Sequence, residues 1–554
     1  MTICIAPATP NRVFRAMRLL KHPDAWRWFA IGALIGGFLV GFARFHVPGK
    51  GFTALIMVGG LQSRPGLPEV PPSRVYVMPE SYGYDGQWYA LLAVRSDPRD
   101  AALAAALDHL PFRARRILFS WTAHLLGGGD PIRVLNVYAL QNVFCWVVLG
   151  FVLLRWFPPT DWTGVARWGA VLFSYGMIFS VRGALADGPG LLLVAGGMAL
   201  WETNRRWLAA LVLGLGGLGK ETGVLAASVF ADPDTRGGKS WSKLIARGLL
   251  VALPLALWSA WLLVALGSIG TDPDVRTAAF APPLTGYWHQ LTTTLAELAA
   301  RPPNAGPSRD SLYLLIARAV QWLFFALRPR WRDPWWRLGA AYAGLMLLLG
   351  PAVWEGRPGA AGRVLLPLLL AFNVSLPRRW GWLPVFLLGN LTVLTTPTLF
   401  KPVAIDEPVL AGPAVLLQNP AGGDKARVTF DPQWMPPEQS FWDRWRWCKD
   451  SATVIVHNPQ ANALAATLTC QITSDDPRGL TIRTATQGYW TGQLGQQRTA
   501  VAIANLRLES GDTVIRFETD RPPHPSLNPG DSRRLAFRVY DLRIQFAESA
   551  PGTR

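Results

Sequence analysis

The sequence predicts a polytopic α-helical membrane protein with an all-β domain at its C-terminal end. Three observations carry that reading. Half of the 554 residues are hydrophobic and only 16% are charged, against roughly 25% in soluble domains. The arginines gather in short clusters between apolar runs, the distribution that the positive-inside rule produces. From about Lys401 the long apolar runs stop and short β-rich stretches replace them. A net charge of +18 would suit a nucleic-acid binder, but no basic block is interleaved with polar sequence, so nucleic acid is not an expected partner. The four cysteines fit no zinc-ligand spacing.

Taken in order, residues 1–25 hold Arg12, Arg15, Arg18 and Lys21 and no acid before Asp24. Residues 26–45 are long enough to span an apolar layer of roughly 30 Å. No small-residue cleavage site follows, so they read as a retained signal-anchor in a bacterial inner membrane, with the N-terminus cytoplasmic. Residues 46–132 then form the first external loop, in which the apolar stretch 52–61 is too short to span. Further candidate spans lie near 133–154, 168–182, 187–203, 207–218, 223–231, 247–267, 311–328, 335–353, 362–376 and 380–396. Arg155 with Arg167, Arg205-Arg206, Arg236 with Lys239 and Lys243, Arg328 with Arg330 and Arg332, and Arg378-Arg379 fall in alternate loops. All are cytoplasmic if the N-terminus is, giving about eleven membrane segments and an external C-terminal part, periplasmic or extracellular.

Residues 208–218 and 223–230 are each short of the ~20 that a span needs, with Gly219-Lys220-Glu221-Thr222 between them. Fusing them would put Arg206 and Arg236 on opposite sides, so a broken or re-entrant pair is expected, with Lys220 and Glu221 facing a polar cavity that opens outward. The expected domains are a membrane part over 1–400, a linker over 401–423 and an external β-sandwich over 424–554. Strands are expected at 452–456, 465–473, 480–484, 500–506, 513–518 and 535–544, punctuated by Pro, Gly, Asn and Asp. Cys448 and Cys470 both fall in it on an oxidising side, where a disulfide and two buried thiols are both open. Its tryptophans Trp434, Trp442, Trp445, Trp447 and Trp490 either stack on sugars or fill the core.

Four sets of polar residues fall on the outer face. Asp85 sits between Gly83 and Gly86, with Tyr82, Tyr84 and Trp88 around it, and reads either as a helix N-cap or as a catalytic base. Arg113, Arg115 and Arg116 run against the charge bias outside the membrane. Either they bind phosphate bidentately or they snorkel from an interfacial helix. Asp187 precedes Pro189, where an N-cap is the alternative to a site role. Lys220-Glu221 is a costly pair at membrane depth and points by default to function, with a structural pair as the alternative. Glu355, Arg357 and Arg363 flank the outward turn 354–361 and are candidates for the same cavity. An acid with phosphate-binding cations suits transfer of a sugar from a lipid-phosphate donor. The cations stabilise the leaving phosphate and the carboxylate takes the acceptor proton. Lys and Arg suffice to neutralise a monophosphate, so no cofactor is expected, and a divalent cation stays open.

In these residues the membrane half resembles the bacterial GT-C membrane glycosyltransferases, the group that includes protein O-mannosyltransferases and the lipid A aminoarabinose transferase. The resemblance rests on Tyr84-Asp85-Gly86-Gln87-Trp88-Tyr89 in the first external loop, Asp187-Gly188-Pro189 in the second, and Leu218-Gly219-Lys220-Glu221-Thr222 after a short apolar helix, with Glu221 where a glycine is usual. It covers roughly residues 20–380 and implies Asp85 as base, Asp187 as its site partner and Lys220 on the donor phosphate. Arg113, Arg115, Arg116 and Arg363 are the further phosphate candidates. Tyr84, Gln87, Trp88, Tyr89, Glu221, Glu355 and Arg357 are the candidates for substrate contact. The C-terminal part is similar to accessory β-domains of such enzymes. The expected function is inverting transfer of a sugar from a polyprenyl-phosphate carrier to an extracytoplasmic glycan, lipid or protein at the bilayer. The rival is a non-catalytic transporter or scaffold for envelope polysaccharide, which inverted repeats would support; none stands out.

Overall fold

The computed structural model describes residues 23–59, 66–71, 74–78, 81, 83–231, 238–268, 279–300, 306–356, 359–402, 414–417, 426–439, 444–525 and 533–546. Tyr82, Arg357 and Trp442 therefore lie outside the described residues, as do Arg236 and the basic N-terminal stretch. The chain forms two compact units. The first is Met1–Met57, Arg64–Tyr76 and Tyr84–Pro402, and the second is Val58–Ser63, Val77–Gly83 and Val403–Arg554.

The first unit is helical. Its helices start where the sequence supplies an oxygen to hold the first free N–H groups: Asp130, Asp161 and Asp333 accept from Arg133, Gly164 and Trp335 at 2.8, 2.6 and 2.9 Å. Asp130 and Asp333 are each followed by proline, whose fixed φ suits the first helical position. Among the described residues, four helices can cross a membrane by length and composition: Ala25–Ala43, Pro131–Leu153, Trp241–Leu266 and Ser308–Leu327. Two bent pairs, Trp162–Leu172 with Tyr175–Arg182 and Trp380–Gly389 with Leu391–Phe400, raise the number to six if each is one span. Helices also occupy the other expected segments, but Arg206–Gly219, Glu221–Phe230 and Leu366–Ser375 are too short to span unaided. The expected eleven segments thus become long helices mixed with broken ones. Among the described residues the structure adds an unforeseen helix, Thr285–Ala300.

The breaks are chemically closed. Phe173 ends the first bent helix, and the carbonyls freed there accept from Trp146 Nε1 (on Leu172, 2.9 Å) and Thr396 Oγ1 (on Phe173, 2.7 Å). Asn373 and Asn390 pair their amides across the second break at 3.0 and 3.2 Å. Arg167, which is buried, donates to the carbonyls of Asn373, Leu376 and Pro377 at the end of Leu366–Ser375. Arg318, equally buried, donates to Gly362 and Leu365. Irregular backbone at membrane depth needs such partners, because no water is there to supply them.

Among the described residues the second unit holds two large β-sheets, besides the short pairs Val58–Gly59 with Val77–Met78 and His524–Pro525 with Arg534–Leu535. Its strands are β1 (Ala414–Leu417), β2 (Ala426–Phe430), β3 (Trp434–Gln439), β4 (Arg444–Cys448), β5 (Ala452–Asn458), β6 (Leu464–Thr473), β7 (Arg478–Arg483), β8 (Gly488–Leu494), β9 (Thr499–Leu508), β10 (Gly511–Thr519) and β11 (Phe537–Phe546). One sheet has the order β8-β7-β10-β5-β2-β1 and the other β9-β6-β11-β4-β3, with antiparallel neighbours throughout. Val454 and Val456 alternate with half-buried Thr453 and Ile455, which is what puts one face of β5 into the core. All six strands expected from sequence are present, and β1 to β4 and β8 were not foreseen.

Cys448 and Cys470 are both buried free thiols, so the disulfide left open by the sequence does not form. Cys448 lies opposite Phe537 of β11, while Gln471, next to Cys470, lies opposite Tyr540 on the other side of that strand. A whole strand separates the two thiols. That is about 9.5 Å from β4 to β6 at the usual spacing, beyond the span of a disulfide. Of the tryptophans, Trp434 fills the core: its ring meets Phe430, Phe517 and Phe537 edge-on and its Nε1 donates to Thr453 O at 3.0 Å. Trp447 is buried beneath Arg538, and Trp445 and Trp490 are half-buried.

Candidate active site

The segment after the first apolar helix folds into short helices, beginning with Asp85–Val94. Gly83 takes φ +76°, a left-handed conformation that favours glycine, and turns the chain into this helix. At Gly86 a Cβ would stand 2.2 Å from Gly183 O and 3.0 Å from Ile56 O, so only glycine lets the helix start press against those two backbones. Asp85 is the first residue of the helix, and its carboxylate caps no backbone N–H among the described residues. It turns instead to Arg113, whose Nη1 lies 3.0 Å from Asp85 Oδ1. The same holds at Asp187, which opens the helix Asp187–Glu202 without capping it and gives its carboxylate to Lys220 and Arg363. Neither acid is an N-cap.

Two ionic clusters result. In the first, Arg113 is held by Asp108 (Nε to Oδ1, 3.0 Å; Nη2 to Oδ2, 2.6 Å) as well as by Asp85. Arg116 donates to the Tyr89 hydroxyl at 2.7 Å and to Glu221 Oε2 at 2.9 Å, and Arg113 also reaches that hydroxyl at 3.4 Å. Arg115 Nε approaches Glu221 Oε1 at 3.4 Å without forming a hydrogen bond, the loosest contact of the group. In the second cluster Asp187, with only 4% of its side chain exposed, is clamped between Lys220 and Arg363 Nη1 (3.0 Å), and Arg363 Nη2 donates to the Tyr84 hydroxyl at 2.7 Å. Consecutive residues bridge the clusters twice, through Tyr84-Asp85 and Lys220-Glu221. Lys220 and Glu221 thus do not pair with each other. The helix Arg206–Gly219 stops at Lys220, whose extended backbone (φ −158°, ψ 132°) throws the two side chains into different clusters.

The electrostatics follow from burial and pairing. Burial alone would raise the Asp108 carboxyl, but the hydrogen bond and charge of Arg113 hold it below its ordinary value. Burial opposes the charge of Arg113 and Arg116, and their acid partners reverse this, so both are pushed above the usual arginine value. Three cations face three carboxylates in the first cluster and two face one in the second, so the second carries one positive charge in excess. Asp85 is the most open charged member, with 36% of its side chain exposed.

The structure therefore brings Asp85, Asp187, Lys220, Glu221, Arg113, Arg115, Arg116, Arg363, Tyr84 and Tyr89 together. The arginines do not snorkel. Other substrate-contact candidates fall elsewhere: Trp88 is buried at 7% exposure, Gln87 is buried at 4%, and Glu355 is exposed and outside both clusters. Asp108 was missed by sequence reasoning; its one signal is an acid five residues before Arg113 in the same loop. Among the described residues no three His, Cys, Asp or Glu side chains gather as ligands for a metal ion.

Fold and site together define a chain with apolar, membrane-length helices and two adjoining, cation-rich ionic clusters. No protein-family model matches the sequence, and no curated protein does. Among solved structures the chain is similar to arabinosyltransferase EmbB from Mycobacterium smegmatis, at 12% identity and a TM-score of 0.30, over 98% of this chain and 66% of that one. It spans just under two thirds of that enzyme, and so loose a superposition establishes neither a shared fold nor a shared activity.

Proposed function

We propose that this protein is an integral membrane glycosyltransferase of the GT-C type, which moves a sugar from a polyprenyl-phosphate carrier to an extracytoplasmic acceptor with inversion. The observation that carries the reading is the pair of adjoining clusters, one with an accessible carboxylate and the other with an unbalanced buried positive charge. Buried ion pairs contribute little to stability once desolvation is counted, so nine charged side chains packed together are poorly explained as scaffolding. An anionic substrate group beside Lys220 and Arg363 would remove the imbalance. Asp85 takes the proton of the acceptor hydroxyl. The acceptor oxygen then bonds to the anomeric carbon from the face opposite the phosphate. The carbon–oxygen bond to phosphate breaks, and the polyprenyl phosphate leaves with the electron pair, its charge met by Lys220 and Arg363. Asp187 keeps those two cations aligned, and Arg115, in its loose contact with Glu221, is free to turn to the donor.

The test is turnover by the purified full-length protein with short-chain prenyl-phosphoryl sugars and a cell-envelope glycan fraction as acceptor. Release of prenyl phosphate that depends on the acceptor and is lost in Lys220→Ala is expected. Transfer from nucleotide sugars, with none from any prenyl-phosphoryl donor, would overturn the assignment.

A further inference from the structure

A second anion-seeking feature lies at the other end of the helices. Leu366–Ser375 runs away from Arg363, and beyond its far end a cavity of about 240 Å³ opens between the starts of Trp162–Leu172 and Trp380–Gly389. Its walls include Trp162, Arg378, Arg379, Trp380, Trp382 and Leu383, with Arg167 also lining it. Arg167 is 3% exposed, and its Nε finds no acceptor among the described residues. Arg378 donates to Trp156 O at 2.8 Å and stands 3.6 Å from Asp161 in a pair nearly half exposed on both sides, a contact worth little. Arg379 is exposed and makes no ion pair among the described residues. Arg328 adds a fourth cation at this end, its guanidinium 4.2 Å from the Trp382 ring.

The apolar surroundings separate a lipid from a small anion. Trp380 is 87% exposed and Trp162 59%, as tryptophans at a membrane interface are. From the cavity, Leu383, Leu387 and Leu388 run on as an exposed apolar track along one short helix. We propose that this cavity binds the headgroup of an anionic glycerophospholipid: the phosphodiester sits between Arg378 and Arg379 and the acyl chains lie along the leucine track. Basic pockets between membrane helices hold anionic headgroups in this way. The site is separate from the Asp85–Asp187 clusters and does not depend on the reaction proposed for them.

The test uses the delipidated full-length protein in detergent, with native mass spectrometry against equimolar phosphatidylglycerol, cardiolipin and phosphatidylcholine. The anionic lipids should be retained over phosphatidylcholine, and their preference should fall roughly fivefold for each arginine removed, in Arg379→Gln alone and in the R378Q/R379Q pair. The single variant breaks no ion pair, so its fold is secure. Inorganic phosphate at millimolar concentration should not displace the lipid; displacement would mark a free-anion site and overturn the lipid assignment. Equal retention of phosphatidylcholine, or an unchanged preference in R379Q, would overturn it outright.

Discussion

Replacing Asp85 by asparagine separates chemistry from structure at the centre of the proposed site. Asparagine keeps the size of the side chain and most of its hydrogen bonding but takes no proton. The structural loss is small. Asp85 gives up a 3.0 Å contact with Arg113 at a position 36% exposed, while Arg113 keeps both hydrogen bonds to Asp108. Pairs this exposed are worth about 0.2–1 kcal/mol. A general base contributes about 10²–10⁴-fold in rate, or roughly 2.7–5.4 kcal/mol of transition-state stabilisation. Turnover, measured as prenyl phosphate release, should therefore fall at least a hundredfold. The thermal unfolding midpoint, followed by intrinsic tryptophan fluorescence, should move by only a few degrees. An Asp85→Asn variant that turns over at a near-normal rate would refute the reasoning, because it would leave Asp85 as nothing more than a partner for Arg113.

Asp187→Ala should behave in the opposite way. It strands Lys220 and Arg363 at a site only 4% exposed, and stability measured by denaturant unfolding should drop by about 3–5 kcal/mol; a loss below about 1 kcal/mol would contradict the clamp. Asp108 has its folded pKa depressed, so the stability that it contributes is complete above its unfolded value near 3.9 and is lost as pH falls through the lower folded value. The gap in unfolding midpoint between wild type and Asp108→Asn should accordingly be constant around neutrality and close below about pH 4. Orientation is open to reporter fusions. Those after Arg206, Lys239 and Arg379 should read cytoplasmic and those after Pro98 and Lys401 external, and an external signal at Arg206 would reverse the alternation of the basic loops.

The sequence already marked most members of the site, because each is an anomaly where it stands: an acid between two glycines, three arginines outside the basic loops, a lysine and a glutamate inside an apolar run. What it could not show is who meets whom. Arg116 finds Glu221 across 105 positions and Arg363 finds Tyr84 across 279, and nothing local announces either pairing. Lys220 and Glu221 looked like each other's partners because they are adjacent, and one extended residue sends them apart. Asp108 escaped for the converse reason: in a polar loop an acid is ordinary. In the β unit, β3 carries Pro436-Pro437, which gives no strand signal, and it lies at the edge of its sheet, where proline is tolerated. The helix breaks at Phe173 and Asn390 have no proline or charge at the break itself to give them away, and the rest of the difference from eleven expected spans lies in helices too short to span, such as Arg206–Gly219, Glu221–Phe230 and Leu366–Ser375.

Arg167 changes how the charge map is to be read. A sequence counts every arginine alike, whether or not it stays in water once the helices have packed. Arg167 is 3% exposed and donates to three carbonyls at the end of a neighbouring helix, so it adds little to the surface charge of the folded protein. The basic bias of its loop then rests on Arg155, which stands in the open paired with Glu202 at 2.7 Å. Arg318, inside its helix bundle, likewise adds to the formal +18 without adding to the surface field. Among the described residues, the positive charge presented to solvent is accordingly smaller than a count of arginines implies, and Arg378-Arg379 are among the guanidinium groups that remain exposed.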